Sequence, residues 1–265
     1  MKYSLLFIFF FLGIGSIYTQ IQPLPKAHSH NDYERTHPLT DALANGFTSI
    51  EADVLYIYGR LYVGHNMPDS KRHSLQQLHK QYLRPLYKRY KKNNGVIYLG
   101  YEQPFYLWID IKFEPTKTYK KLREILYPFR EMLNYYENGQ FHKGAITIIL
   151  SGERPFKLLL EDSLQLMTLD GRPSDLAKNY PSHLMPFISE HAGKVAGTDD
   201  YTKVGATEWA RIKTFIDEVQ AQEKKTRLWA TPEEEQLWQQ LLDLGIDLIN
   251  TDDLDRLRLF LINSM

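Results

Sequence analysis

Between Ala27 and Asn66 the chain reads Ala27-His28-Ser29-His30-Asn31-Asp32, then Ser49-Ile50-Glu51-Ala52-Asp53-Val54, then Leu61-Tyr62-Val63-Gly64-His65-Asn66. Each polar cluster ends or interrupts a short apolar run. Residues i and i+2 of a strand point to the same side. Glu51 and Asp53 therefore share one face, with Ile50, Ala52 and Val54 on the other, and His28 and His30 pair in the same way. Two adjacent carboxylates repel unless something positive lies between them, and the simplest such object is a divalent hard cation with oxygen ligands. Taken singly, Glu-x-Asp also fits an exposed edge or a salt bridge, and a lone histidine such as His65 fits a surface position. The three clusters together, each tied to a strand, point to chemistry displayed at the carboxyl ends of parallel strands.

Outward from this stretch, short apolar runs alternate with amphipathic ones, the pattern of βα units around a parallel sheet. Strands are expected over Leu24–His30, Phe47–Val54, Phe105–Lys112, Gly144–Leu150, Leu164–Leu169, Leu184–Ser189, Arg227–Ala230 and Ile246–Ile249. Tyr56–Val63 reads as a hairpin with Gly59-Arg60 at its turn. Helices are expected over Pro38–Asn45, Ser74–Lys92, Thr116–Tyr136 (capped by Thr116 or Thr118) and Glu208–Gln222. Another follows Thr231-Pro232 as N-cap and first helical residue and closes at Gly245, and a last one ends near Ile262. About eight strands with helices between them predict an α/β fold, a single (β/α)8 TIM barrel. No linker, charge block or low-complexity segment divides it.

The chain has 265 residues, 32 of them basic and 32 acidic. A balanced charge argues against nucleic acid as the partner. The local run Lys88-Arg89-Tyr90-Lys91-Lys92 suits a solvated helix end, or a surface that meets anionic lipid. Cysteine is absent, which excludes disulfides, thiolate nucleophiles and zinc–cysteine sites. Residues 1–20 read as a signal peptide, with Lys2 before the apolar run Leu5–Ile14 and small or polar residues after it. The expected organisation is a signal over 1–20 and a barrel over 21–265, secreted or periplasmic, or held by an uncleaved anchor.

Asp110 ends the apolar strand Phe105-Tyr106-Leu107-Trp108-Ile109-Asp110 and makes a third carboxylate. Closure of a barrel would gather Glu51, Asp53 and Asp110, enough with water for Mg²⁺ or Ca²⁺. Lys112 follows on the same side, either to hold a phosphoryl oxygen or to pair with a carboxylate.

These motifs resemble the signature of phospholipase-C-like phosphodiesterases, which include glycerophosphodiester phosphodiesterases, with sphingomyelinase D similar. The nearer likeness is to the branch of altered inheritance of mitochondria protein 6. It runs through Ala27–Tyr33, Pro38-Leu39, Ser49–Val54, Val63-Gly64-His65, Asp110-Ile111-Lys112, Asp170-Gly171, Arg227–Pro232 and Gly245–Asp253. The resemblance implies a barrel, one divalent cation and two catalytic histidines acting on a phosphodiester or phospholipid-derived substrate; peripheral contact with a membrane surface is expected only from the basic run. His65 matches one histidine, and His30 or His28 the other. His28-Ser29-His30-Asn31 stands where glycerophosphodiesterases carry His-Arg-Gly, so a phosphate-holding arginine is missing there, and the glutamate ligand of that family is replaced by Asn31 or by nothing. Trp229 would wall a head-group site or belong to the core; Tyr33 and Arg154 would lie near the mouth. No protein partner is expected. Two other readings are a non-catalytic barrel that binds a head group or partner surface, and a metal-dependent amidohydrolase using His28, His30 and either His183 or His191.

Overall fold

The computed structural model describes residues 21–68 and 75–264, so the signal expected over residues 1–20 lies outside the described residues. In chain order the strands are β1 Leu24–Ser29, β2 Phe47–Ile57, β3 Arg60–Val63, β4 Phe105–Ile111, β5 Tyr135–Glu137, β6 Gln140–His142, β7 Ile146–Gly152, β8 Leu164–Gln165, β9 Thr168–Gly171, β10 Phe187–His191, β11 Lys225–Trp229 and β12 Leu248–Thr251. The α-helices are α1 Thr40–Ala44, α2 Arg84–Lys92, α3 Pro115–Leu126, α4 Phe156–Glu161, α5 Pro173–Leu176, α6 Ala192–Ala196, α7 Ala206–Gln220, α8 Glu235–Asp243 and α9 Leu254–Asn263.

Strands β1, β2, β4, β7, β9, β10, β11 and β12 pair in parallel in that order, and β12 pairs back to β1, closing an eight-stranded barrel. The inside and outside carry different residues because side chains alternate along each strand. Ile50, Ala52, Val54, Leu107, Ile109, Ile148 and Leu150 join the large core against the helices. Tyr106, Trp108, Ile149, Phe187 and Leu248 form a separate cluster that fills the barrel from within. The residues above that plug are polar, and they make the site.

Several local expectations shift. The hairpin turn is Tyr58-Gly59, because Ile57 pairs with Arg60. A five-residue π-helix, His79–Leu83, precedes α2. Helix α3 stops at Leu126, since Pro128 in the next turn lacks an amide donor; a 3-10 stretch follows to Met132, and Tyr135 enters β5. Its cap position is Glu114, with Pro115 first, and neither Thr116 nor Thr118 caps it. Leu164–Leu169 splits: β8 joins β5 and β6 in a small antiparallel sheet, while β9 joins the barrel. Helix α8 begins at Glu235 rather than after Thr231, with Glu234 at its cap.

Candidate active site

Strand β2 positions the first carboxylates. Its register with β4 sets Glu51 beside Trp108 and Asp53 beside Asp110. One oxygen each from Glu51, Asp53 and Asp110 lies within 4.8 Å of the others. Gly152, at the end of β7, leaves room for the third: a Cβ there would lie 2.2 Å from Asp110 Oδ1, and its φ of +67° is costly for any other residue. The crowding shows in Asp110, whose acidity is weakened to about 6 by burial first and then by the charges of Glu51 and Asp53, against the pull of Lys112. Glu51 goes the other way. Burial opposes its charge, but the Arg227 guanidinium and the His28 hydrogen bond hold it below the ordinary carboxylate range.

A cavity of about 420 Å³ opens over this cluster and is lined by His30, Asn31, Glu51, His65, Asp110, Lys112, Arg172, Arg227 and Trp229 among others. His65 follows β3 and is brought back over β2; it is 57 % exposed and donates from Nδ1 to Asp53 Oδ2 at 2.7 Å. That oxygen also accepts from the Tyr33 hydroxyl at 2.8 Å and pairs with Lys112 Nζ at 2.9 Å. Lys112 lies 3.4 Å from Asp110 Oδ1 too, so it serves as a counter-charge to the acidic pair. His30 follows β1 and donates from Nδ1 to Asp252 Oδ1 at 3.2 Å, so Nε2 lies outside that hydrogen bond. Burial disfavours its cation, but the Asp252 hydrogen bond and the Glu51 charge outweigh that, and its pKa is raised. Arg35 braces the pair from outside, donating to Asp252 Oδ1 at 2.7 Å and to the His30 carbonyl at 2.9 Å.

His28 corrects one expectation. It does not line the cavity: it is fully buried beneath Glu51. Its Nε2 donates to Glu51 Oε2 at 3.1 Å, and Nδ1 accepts from the Ser49 hydroxyl at 2.8 Å. Ser49 in turn accepts from the Trp108 indole at 2.9 Å. Burial, then the Arg227 charge, lowers the His28 pKa to about 3, so the ring is neutral and fixed in one tautomer. It is a positioning residue beneath Glu51.

No arginine stands on the first strand, but two approach the cavity from elsewhere. Position 29 is serine, yet Arg227 of β11 reaches Glu51 Oε2 at 2.9 Å and lies over the Trp108 ring at 4.7 Å. Arg172, past the end of β9, is held by Asp170 and also lines the cavity. Asp170 is fully buried and accepts from Ser189 at 2.6 Å and Ser151 at 3.1 Å. Two guanidiniums therefore enter from strands remote in sequence. The Arg-x-Trp spacing of Arg227 and Trp229, both inward-facing on β11, was the available signal.

Asn31 and Trp229 both line the cavity. The Asn31 backbone adopts φ 45°, ψ 46°, a left-handed turn that asparagine tolerates, and it starts the 3-10 turn Asp32–Glu34. Asp32, in the same motif, is structural: it is buried and accepts from Ser29, the Leu39 amide and Tyr82. Tyr33 donates into the site, whereas Arg154 ties Asp170 O to Asp175 below the rim. His191 ends β10, two residues beyond the expected strand, but it packs edge-on against Trp229 at 4.6 Å, and His183 lies against Tyr136 in a second cavity at the opposite end. Among the described residues neither joins the acidic cluster, which removes the support for an amidohydrolase site.

The closed barrel has counterparts of the same fold among solved structures. A glycerophosphodiester phosphodiesterase from Parabacteroides distasonis superposes with a TM-score of 0.55 at 13% identity, covering 92% of this chain and 100% of its own. A structure described as a putative glycerophosphoryl diester phosphodiesterase, from Silicibacter pomeroyi, gives 0.53 at 11% identity, covering 92% and 96%. The profile of the AIM6-like phosphodiesterase domain matches residues 15–167, and that of the glycerophosphoryl diester phosphodiesterase family matches residues 225–255. Altered inheritance of mitochondria protein 6 homolog of Arthroderma benhamiae is 30% identical over 89% of this chain and 83% of its own length. Altered inheritance of mitochondria protein 6 of Eremothecium gossypii is 27% identical over 94% and 72%. The chain belongs to the AIM6-like phosphodiesterase-domain family.

Proposed function

We propose that the protein is a metal-dependent phosphoric diester hydrolase that cleaves a glycerophosphodiester or phospholipid head group. The observation that carries this reading is the gathering of Glu51, Asp53 and Asp110 within 4.8 Å, with one histidine on either side. The donor set suits a hard divalent cation, Mg²⁺ or Ca²⁺: the ligands are all oxygen, they crowd one another, and Asp110 is driven towards protonation where no cation relieves the crowding. Glu51, Asp53 and Asp110 would hold the ion, which supplies a positive charge for a non-bridging phosphoryl oxygen.

The chain's own residues do the rest. Arg172 and Arg227 offer guanidinium N–H groups to the remaining phosphoryl oxygens, where charge grows in the transition state. His30 keeps Nδ1–H on Asp252 and uses Nε2 to take a proton from the nucleophile, either a neighbouring substrate hydroxyl or water. His65, when protonated, keeps Nδ1–H on Asp53 and gives its Nε2 proton to the leaving alkoxide. Each transfer is worth about 10² to 10⁴ in rate. His28 holds Glu51 from below, and Tyr33 and Lys112 hold Asp53.

A screen of phosphodiesters with Mg²⁺ and with Ca²⁺, run beside Asp53→Asn and His65→Ala, tests the proposal. Turnover is expected in the parent and a loss of about 10² to 10⁴-fold in His65→Ala with ligand binding retained. No turnover of any diester with either ion would refute it.

A further inference from the structure

The hairpin that carries His65 has a second feature. Strand β2 runs four residues beyond Asp53, to Ile57, before turning through Tyr58-Gly59 into β3. The tip thus projects from the carboxyl face of the barrel, alongside the cavity mouth. Tyr58 is 99 % exposed, and its backbone sits at φ +46°. Two-residue hairpin turns of this kind favour asparagine or glycine, and a bulky aromatic there is strained. The barrel gains no buried area from the ring, so neither turn chemistry nor packing accounts for it. Tyr56 and Ile57 are half-buried just below, Arg60 is exposed beside it, and Met67 is exposed two residues after His65.

An amphipathic ring with a cation beside it on a projecting turn suits the headgroup region of a bilayer, where tyrosine rings settle and guanidinium groups meet phosphate. We propose that the hairpin tip, through Tyr58 and Arg60, seats the cavity mouth on a phospholipid surface. The choice of a bilayer over another occupant rests on the phosphodiesterase reading, and on the tip and His65 belonging to one hairpin. The basic run at 88–92 is poorly placed for this task. It closes α2, which leads into the amino end of β4, and its Lys91 pairs with Glu131.

The test is sedimentation of the full chain with vesicles of phosphatidylcholine and phosphatidylserine, comparing the parent with Tyr58→Asn and Arg60→Glu. Residues 1–20 contribute equally to all three proteins. Asparagine keeps the turn and removes the ring. Tyr58→Asn should lower the partition coefficient about tenfold, the scale of returning one large aromatic side chain to water. Arg60→Glu should lower it on phosphatidylserine-containing vesicles more than on pure phosphatidylcholine. Hydrolysis of a water-soluble glycerophosphodiester should stay at the parental rate in both variants. Unchanged partition in both variants, or a parent that does not sediment, overturns the inference. A parent that sediments in a Tyr58-dependent way but hydrolyses nothing sinks the phosphodiesterase reading and leaves the docking surface standing.

Discussion

Gly152 is where a single atom decides whether the third carboxylate fits. Its φ is +67°, and an added Cβ would fall 2.2 Å from Asp110 Oδ1 and 2.5 Å from the Ile111 carbonyl oxygen. Gly152→Ala should displace Asp110, weaken divalent-cation affinity at least tenfold in a calorimetric titration, and cost about 1–3 kcal/mol in denaturant melts. His30 offers a second test. Asp252 favours its imidazolium, so Asp252→Asn should lower its pKa. A general base works when neutral, so the acid limb of kcat/KM should move to lower pH in the variant, alongside a lower maximum as the ring loses its orientation. Glu51, Asp53, Asp110 and His65 were legible in the sequence because each interrupts or follows an apolar strand run, and the period of two puts Glu51 and Asp53 on one face. Arg172, Arg227 and Asp252 were not singled out. Arg227 and Asp252 reach the site because ring closure brings β11 and β12 round to β1 and β2, and Arg172 because the chain turns after β9; beyond the Arg-x-Trp spacing on β11, no local pattern encodes this. His28 and His30 share a face of β1, but depth separates them: two residues along the strand divide a buried support from a cavity wall.

At the scale of elements, Arg154 clamps the end of β9 to the start of α5. It donates to the Asp170 carbonyl and to Asp175 Oδ2, each at 2.8 Å, and Asp175 also accepts from the Arg172 amide at 3.0 Å. Burial alone would raise the Asp175 pKa, but the Arg154 and Arg172 hydrogen bonds outweigh it and the net shift is downward. A carboxylate whose folded pKa lies below its unfolded value adds stability that is complete above the unfolded value near 4 and fades as pH falls through the folded one. Asp175→Asn should therefore cost about 1–3 kcal/mol at pH 7, and the difference from the parent should shrink below about pH 4 in urea melts. The strands of this layer were readable as apolar runs. The helix ends were harder: Thr231-Pro232 has every mark of a helix start, yet α8 begins at Glu235, with Glu233 turned to accept from Thr251 and from the Asp252 and Asp253 amides. A tertiary use of Glu233 displaces the local signal.

For the molecule as a whole, folding places three carboxylates together, and a bound cation would return part of that cost. A ligand present at about 100 times its Kd adds about 2.7 kcal/mol to a fold that alone can bind it. For a chain of this size that is a rise in Tm of about 5–10 °C. Mg²⁺ or Ca²⁺ should produce such a rise in the parent and none in Asp53→Asn, measured by calorimetry. The closed barrel itself was foreseeable, since eight apolar runs alternating with amphipathic segments admit few other arrangements. The small sheet of β5, β6 and β8 was not, because its strands are two or three residues long.

The proton donor proposed for the leaving group hangs on the edge of this architecture, outside the ring of parallel strands. Strand β3 pairs with β2 over Val54–Ile57, buries Leu61 and Val63 in the core, and is fastened on its other side by the bridge from Tyr62 to Gln77 and the Val63 amide on the Gln76 carbonyl. Such a flap can peel away at a lower free energy than the ring can open. On slow heating, the proposed turnover should therefore fade while the circular-dichroism signal of the barrel is still intact, so that activity goes silent before the fold melts.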